Sequence, residues 1–364
     1  MMKQLFILFV LLSCMRASAQ TFAVDGIIYS VVNGNEAKIV QDAVVNKDTL
    51  RNLVIPDEVV YEGRAYAVTI IDNYALNHCS VLEQVTVGRN VHQIYMRAFS
   101  SCSSIKRLVW KPERFELVDV PTYALERSSG MGYEENHTVG GLDVSALEKV
   151  EICEGVQELR DYFITGAPIT SLHLPASITK VSPYCFAFCA QLRTITVDPA
   201  NSVFDSRGGC NAVINTDTGE LVMACGGTRI PATVSAIGPF AYSPCTGLKS
   251  VVIPAWITAI GNDAFYGCSQ LEELHCRIAD PANVTLGNNA FQTYLMGELY
   301  SGVPESCKLY VPAGSRSLYR KADQWKRFKT IIEETPYEGP EDVNGDGRVD
   351  IDDVNAVIST MLRK

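Results

Sequence analysis

A phrase of about 23 residues recurs along this chain and limits what it can fold into. Cys245 and Cys268 stand 23 positions apart, as do Cys79 and Cys102. One copy, Val234 to Pro254, reads VSAIGPFAYSPCTGLKSVVIP, with apolar or small residues at Val234, Ile237, Ala241, Tyr242, Cys245, Leu248, Val251 and Ile253. The next fills those places with Ile257, Ile260, Ala264, Phe265, Cys268, Leu271, Leu274 and Cys276, and earlier copies begin at Val68 and Val91. A unit this short holds one strand and a turn. It cannot bury its apolar side alone, so units must stack into a solenoid. The 364 residues then make one long array with a short appendage, since arrays lengthen without enlarging any single core.

The spelling Ile-Gly-x-x-Ala-Phe-x-x-Cys-x-x-Leu, met at Ile260, Gly261, Ala264, Phe265, Cys268 and Leu271, resembles the BspA-like leucine-rich repeat proteins of bacterial surfaces. The resemblance spans roughly Thr21 to Glu334. It implies a β-rich leucine-rich repeat solenoid and, as function, adhesion to host or bacterial surface proteins.

Residues 1–19 read as a signal peptide: Lys3, an apolar run from Leu5 to Leu12, and Ala17-Ser18-Ala19, with cleavage after Ala19. The competing reading is a lipobox, Leu11-Leu12-Ser13-Cys14, which would lipidate Cys14 and make a lipoprotein. Both predict a secreted or cell-surface protein, and no later segment is long and apolar enough to form a transmembrane span. Alternation through Phe22, Val24, Ile27, Tyr29 and Val31 to the Asn33-Gly34-Asn35 turn predicts an N-terminal β-hairpin cap within residues 20–52.

The solenoid is expected over 53–334. Leu53-Val54-Ile55-Pro56 is its first strand, followed by a small hairpin turning near Glu62-Gly63. A weaker copy contains Leu117, Val120, Ala124 and Leu125. Residues 126–149, rich in Gly, Ser and Glu, read as an irregular insertion, and 206–227 as an inserted hairpin about Asp217-Thr218-Gly219. Leu309-Tyr310-Val311-Pro312 reads as the last strand. Behind it, Leu318, Ala322, Trp325 and Phe328 share one side of a helix, which predicts a C-terminal capping helix over 315–330. A linker, 335–341, leads to a last segment, 342–364.

A net charge of −10 argues against a nucleic-acid partner, whose phosphates an acidic surface repels. Of the 12 cysteines, Cys79, Cys102, Cys189, Cys245 and Cys268 share one repeat position, so they stack as a ladder inside the solenoid. Adjacent rungs lie about 5 Å apart, within disulfide range, but a buried thiol serves as a small hydrophobe and free thiols are expected. Cys210 and Cys225 are equidistant from a turn centred between Asp217 and Thr218. In a two-residue hairpin they would face each other, so any bridge is expected there.

The chain lacks a Gly-x-Ser-x-Gly elbow, a phosphate-binding glycine loop and a His-Glu-x-x-His pair, and its five histidines are scattered, so no enzyme is expected. The expected binding surface is the row of strand residues between the buried ones. Those are Gln84, Thr86, Arg107, Val109, Ser171, His173, Thr194, Thr196, Ser250, Val252, Glu273 and His275.

The last segment carries the sharpest chemistry. Asp342, Asn344, Asp346, Arg348, Asp350 and Asp353 stand at places one, three, five, seven, nine and twelve of an EF-hand-type loop, with Gly347 at the sharp turn. The side chains supply oxygens, Arg348 its carbonyl, and unpaired carboxylates so spaced would repel, so Ca2+ is the expected cofactor. With Asp rather than Glu at place twelve, the unit resembles one half of a dockerin, which implies docking onto a cohesin-like partner. The alternative function is accordingly a non-catalytic component of a dockerin/cohesin-type polysaccharide-degrading assembly. After the loop, Ile351, Val354, Val357, Ile358, Met361 and Leu362 recur at helical spacing. This small α-helical segment is expected to offer an apolar docking stripe for self-association, a cohesin-like partner or the solenoid's own cap.

Overall fold

The computed structural model describes residues 20–95, 97–118, 142–161, 163–295 and 298–334. The signal peptide with Cys14, most of the weaker copy, residues 126–141, the linker and the calcium segment with its stripe lie outside them.

Three antiparallel strands, β1 (Thr21–Val24), β2 (Ile27–Asn33) and β3 (Glu36–Val44), open the chain. The cap is therefore a meander with one more turn than the hairpin expected. Asp25 and Gly26, at φ 49° and 79°, form it, both in the left-handed region that tight hairpin turns require. The first coil holds β4 (Asn52–Ile55), then a hairpin of β5 (Glu58–Tyr61) and β6 (Arg64–Ile71) turning at Glu62-Gly63, as expected.

Later coils hold two strands each, where the repeat length suggested one. They are β7 (Gln84–Val87) with β8 (Gln93–Tyr95), and β9 (Arg107–Trp110) with β10 (Glu116–Val118). Next come β11 (Lys149–Ile152) with β12 (Glu158–Leu159), then β13 (Ser171–Leu174) with β14 (Lys180–Val181). The strand β15 (Thr194–Val197) leads to an inserted set, β16 (Phe204–Asp205), β17 (Ala212–Asn215) and β18 (Glu220–Ala224). The array resumes with β19 (Ala236–Ile237), β20 (Ser250–Ile253), β21 (Ala259–Ile260), β22 (Glu273–Cys276) and β23 (Thr285–Leu286). A hairpin of β24 (Gln292–Leu295) and β25 (Glu298–Gly302) precedes β26 (Lys308–Pro312).

The four-residue strands stack in parallel as a face, in panels β4-β7-β9-β11, β13-β15 and β20-β22-β26. The shorter strands form a second ladder behind. Between them Val, Ile, Leu, Ala, Phe and Cys at the repeat positions are buried almost completely. Aromatic residues at one repeat place stack from coil to coil, Tyr242 on Phe265 at 4.8 Å and Phe265 on Phe291 at 5.6 Å.

The cysteine ladder does more than fill space. Cys102 Sγ donates to the Leu76 carbonyl at 2.9 Å, and Cys268 Sγ to the Tyr242 carbonyl at 3.6 Å, each acceptor on the preceding coil. A weak S–H donor thus binds carbonyls at a turn, which a methyl group of similar size would leave unpaired. All cysteines among the described residues are free thiols.

Two expectations fail on register and direction. In the inserted hairpin Ala212 pairs with Ala224 and the strands end at Asn215 and Glu220, so the loop is four residues, not two. The offset sets position 211 against Cys225, whose thiol donates to the Asn211 carbonyl at 3.1 Å. Cys210 lies in one core and Cys225 in another, so the pair does not face for a bridge. The hairpin is a wall between those cores: Val213, Met223 and Cys225 pack toward the N-terminal one, Ala212, Ile214, Leu221 and Ala224 toward the C-terminal one.

The capping helix is the second. Only one turn forms, α1 (Arg316–Tyr319), then a 3-10 turn at Trp325–Arg327 and a final strand, β27 (Thr330–Glu334), parallel to β26. So β26 is not the last strand, and Leu318, expected to be covered, is 42 % exposed. The cause is Gln324, held at φ 59°. Its amide donates to the Gly287 carbonyl at 2.7 Å and accepts from Ala290 N–H at 2.8 Å, closing backbone groups at the end of the array. The insertion also ends early. Leu142 and Leu147 are buried in the core and Lys149 opens β11, so 142–149 belong to the array.

Candidate binding face

Along the face strands buried residues alternate with the positions between them, which sets the predicted residues in rows. In the first panel Gln84 pairs with Arg107 and Arg107 in turn with Lys149, while Thr86 pairs with Val109 and Val109 with Glu151. Arg107 and Glu151 form an ion pair at 2.5 Å. Thr86 and Val109 keep only 8 % and 7 % exposure, so of the four residues expected here Gln84 and Arg107 remain more open.

The second panel is small and polar. Ser171 pairs with Thr194 and His173 with Thr196, all exposed, and His173 Nδ1 lies 3.0 Å from Thr196 Oγ1.

The third panel brings most together. Ser250, Glu273 and Lys308 share one row, and Val252, His275 and Tyr310 the next. The His275 ring stacks on Tyr310 at 4.4 Å and 9°. Tyr310 Oη donates to Glu273 Oε1 at 3.1 Å, and partial desolvation, then that carboxylate, push the phenol above its ordinary range. His275 Nδ1 lies 3.1 Å from Glu334 Oε1, its Nε2 3.7 Å from Glu273 Oε2, and Arg277 pairs with Glu334. Three chain segments thus hold five long side chains in one interlocked group.

Tyr310, Arg277 and Glu334 were missing from the predicted surface. Tyr310 was legible, since Leu309 and Val311 flank it in a strand already read. Glu334 was not, because the segment before it was read as helix. Among the described residues no three His, Cys, Asp or Glu side chains gather closely enough to hold a metal ion. No helix among them is long and apolar enough to cross a membrane.

The family described as BspA type leucine rich repeat region matches in six copies over residues 37–130, 143–208 and 226–299, more than half of the chain. No curated protein matches it. Among solved structures, a leucine-rich repeat protein from Eubacterium ventriosum is 17 % identical over 81 % of this chain and 78 % of its own, with TM-score 0.47. One from Bacteroides ovatus is 16 % identical over 86 % and 76 %, with TM-score 0.45. A leucine rich cell surface protein from Faecalibacterium prausnitzii is 17 % identical over 90 % and 98 %, with TM-score 0.37. On the match along its repeats, the chain belongs to the BspA-type leucine-rich repeat family.

Proposed function

We propose that this is a secreted or surface-displayed, non-enzymatic protein that binds host or bacterial surface proteins through its strand face. The observation that carries the reading is the third panel. Tyr310, His275, Glu273, Glu334 and Arg277 hold one another in place, so an aromatic platform ringed by charge meets a partner with little ordering left to lose. Membership of the BspA-type family supports an exterior location, as does the leader expected over residues 1–19. The test is capture by the full chain on immobilised host matrix proteins and on glycans. Tyr310→Ala removes the stack and the Glu273 hydrogen bond and is expected to weaken protein capture about tenfold or more, while Tyr310→Phe keeps the stack and most of the binding. Unchanged capture by Tyr310→Ala would remove the panel from the site.

A second reading, as a non-catalytic part of a polysaccharide-degrading assembly, is favoured by the Asp342 to Asp353 spacing. Here Ca2+ is held by Asp342, Asn344, Asp346, the Arg348 carbonyl, Asp350 and Asp353, and attachment runs through this segment. Glycan capture without protein capture would select it. Loss of calcium binding in Asp342→Ala, measured by calorimetry, tests the loop itself.

A further inference from the structure

The short cap leaves a groove. It encloses about 580 Å3 between the turn Asp280–Leu286 and the turn Leu318–Trp325. Val284, Leu286, Leu318 and Trp325 give it an apolar lining, with Lys321 and Asp280 at its rim. Leu318 is among the few large apolar side chains exposed in the described residues, and the buried indole N–H of Trp325 has no acceptor among them. A wet apolar groove on the end of a solenoid costs free energy until something covers it.

The chain leaves the solenoid beside this groove. Arg316 N–H, at the start of α1, donates to Glu333 Oε1 at 2.9 Å, which fixes the end of β27 against the turn that carries Leu318. Sixteen residues, 335–350, separate Glu334 from Ile351, a reach of about 50 Å when extended, so no strain prevents return. The stripe Ile351, Val354, Val357, Ile358, Met361 and Leu362 is the nearest apolar surface the sequence supplies, and helical spacing puts it on one side. Charge agrees. Asp352 lies in the first turn of the stripe and Arg363 and Lys364 follow it, opposite in sign to Lys321 and to Asp280 and Asp323, which line the groove.

We infer that residues 351–362 dock in cis into the Val284–Leu286–Leu318–Trp325 groove, completing the C-terminal cap with the chain's own tail. This inference uses the calcium-loop reading only to set where the helix begins. In it the stripe is an internal clasp rather than a surface for a cohesin-like partner.

Hydrogen exchange on the full chain with calcium in excess tests it. Peptides from 318–325 and 351–362 are expected to exchange at least about tenfold slower in the natural chain than in Ile358→Asp or Leu318→Asp. Two variants on opposite sides guard against a folding defect in one, and Ile358→Asp lies outside the solenoid. Equal exchange at 318–325 in the natural chain and Ile358→Asp overturns the clasp. Protection that fades on dilution also overturns it, since the occupant is then a second copy. So does protection of 351–362 only when a separate protein is added. Calorimetry on the same samples separates the readings, because a chain that binds calcium and shows no protection has the loop without the clasp.

Discussion

The turns of the coils repeatedly carry a residue in the left-handed region: Tyr74, Phe240, Asp263 and Asn289 before the repeat alanine, His78, Ser101, Phe188 and Gly267 before the repeat cysteine, with both places so used in the Tyr74/His78 and Asp263/Gly267 coils. Most are not glycine, so the turn accepts backbone strain to bring Ala and Cys inward. Glycine is needed instead where coils touch. A Cβ on Gly261 would lie 2.5 Å from Pro239 N, and one on Gly287 2.4 Å from Asn262 N. Gly261→Ala is expected to cost about 2 kcal/mol, read as a lower denaturant midpoint at unchanged slope. The buried thiols give a second expectation. Burial pushes Cys189 up to about 12 and Cys276 to about 11, and their exposure is near zero. Cys153, also raised, is the half-buried one. Peptide mapping after brief labelling at mildly alkaline pH should therefore find Cys153 modified first, with ladder cysteines reacting only as the fold opens. Labelling of Cys189 alongside Cys153 would contradict that order.

For the strands, legibility followed periodicity. The face strands were readable because Leu, Val and Ile alternate with polar residues at a fixed place in the repeat, and that pattern also placed most of the chosen residues in register along the face. The back strands were not, since two residues such as Ala236–Ile237 are too short for alternation to show. The cap was misread for a different reason. Leu318, Ala322, Trp325 and Phe328 do recur at helical spacing, but the coil end offers Gly287 and Ala290 backbone groups that Gln324 satisfies only by leaving the helix. Tertiary hydrogen bonding outweighed a local preference.

Across the whole molecule, the β17–β18 wall separates two cores that each bury large aromatic residues, Trp110 in the first and Trp325 in the second. Contacts in a solenoid are made to neighbours, so the halves couple through this hairpin and through the turns beside it, where Tyr184 and Phe188 pack on Phe240 and Tyr266 and Ser243 Oγ donates to the Pro183 carbonyl. Denaturant unfolding is expected in two steps, reported by Trp110 for the first half and by Trp256 and Trp325 for the second, and Met223→Ala should lower the first midpoint more than the second. A single coincident transition for both probes would show one cooperative unit. Under the proposed function, a protein fixed at one end to a cell and at the other to a host would be loaded lengthwise by flow. With a seam across its middle it can lengthen by releasing one half while the other keeps its grip, behaving as a shock absorber rather than a rigid strut. A force–extension trace with two rips instead of one would record this.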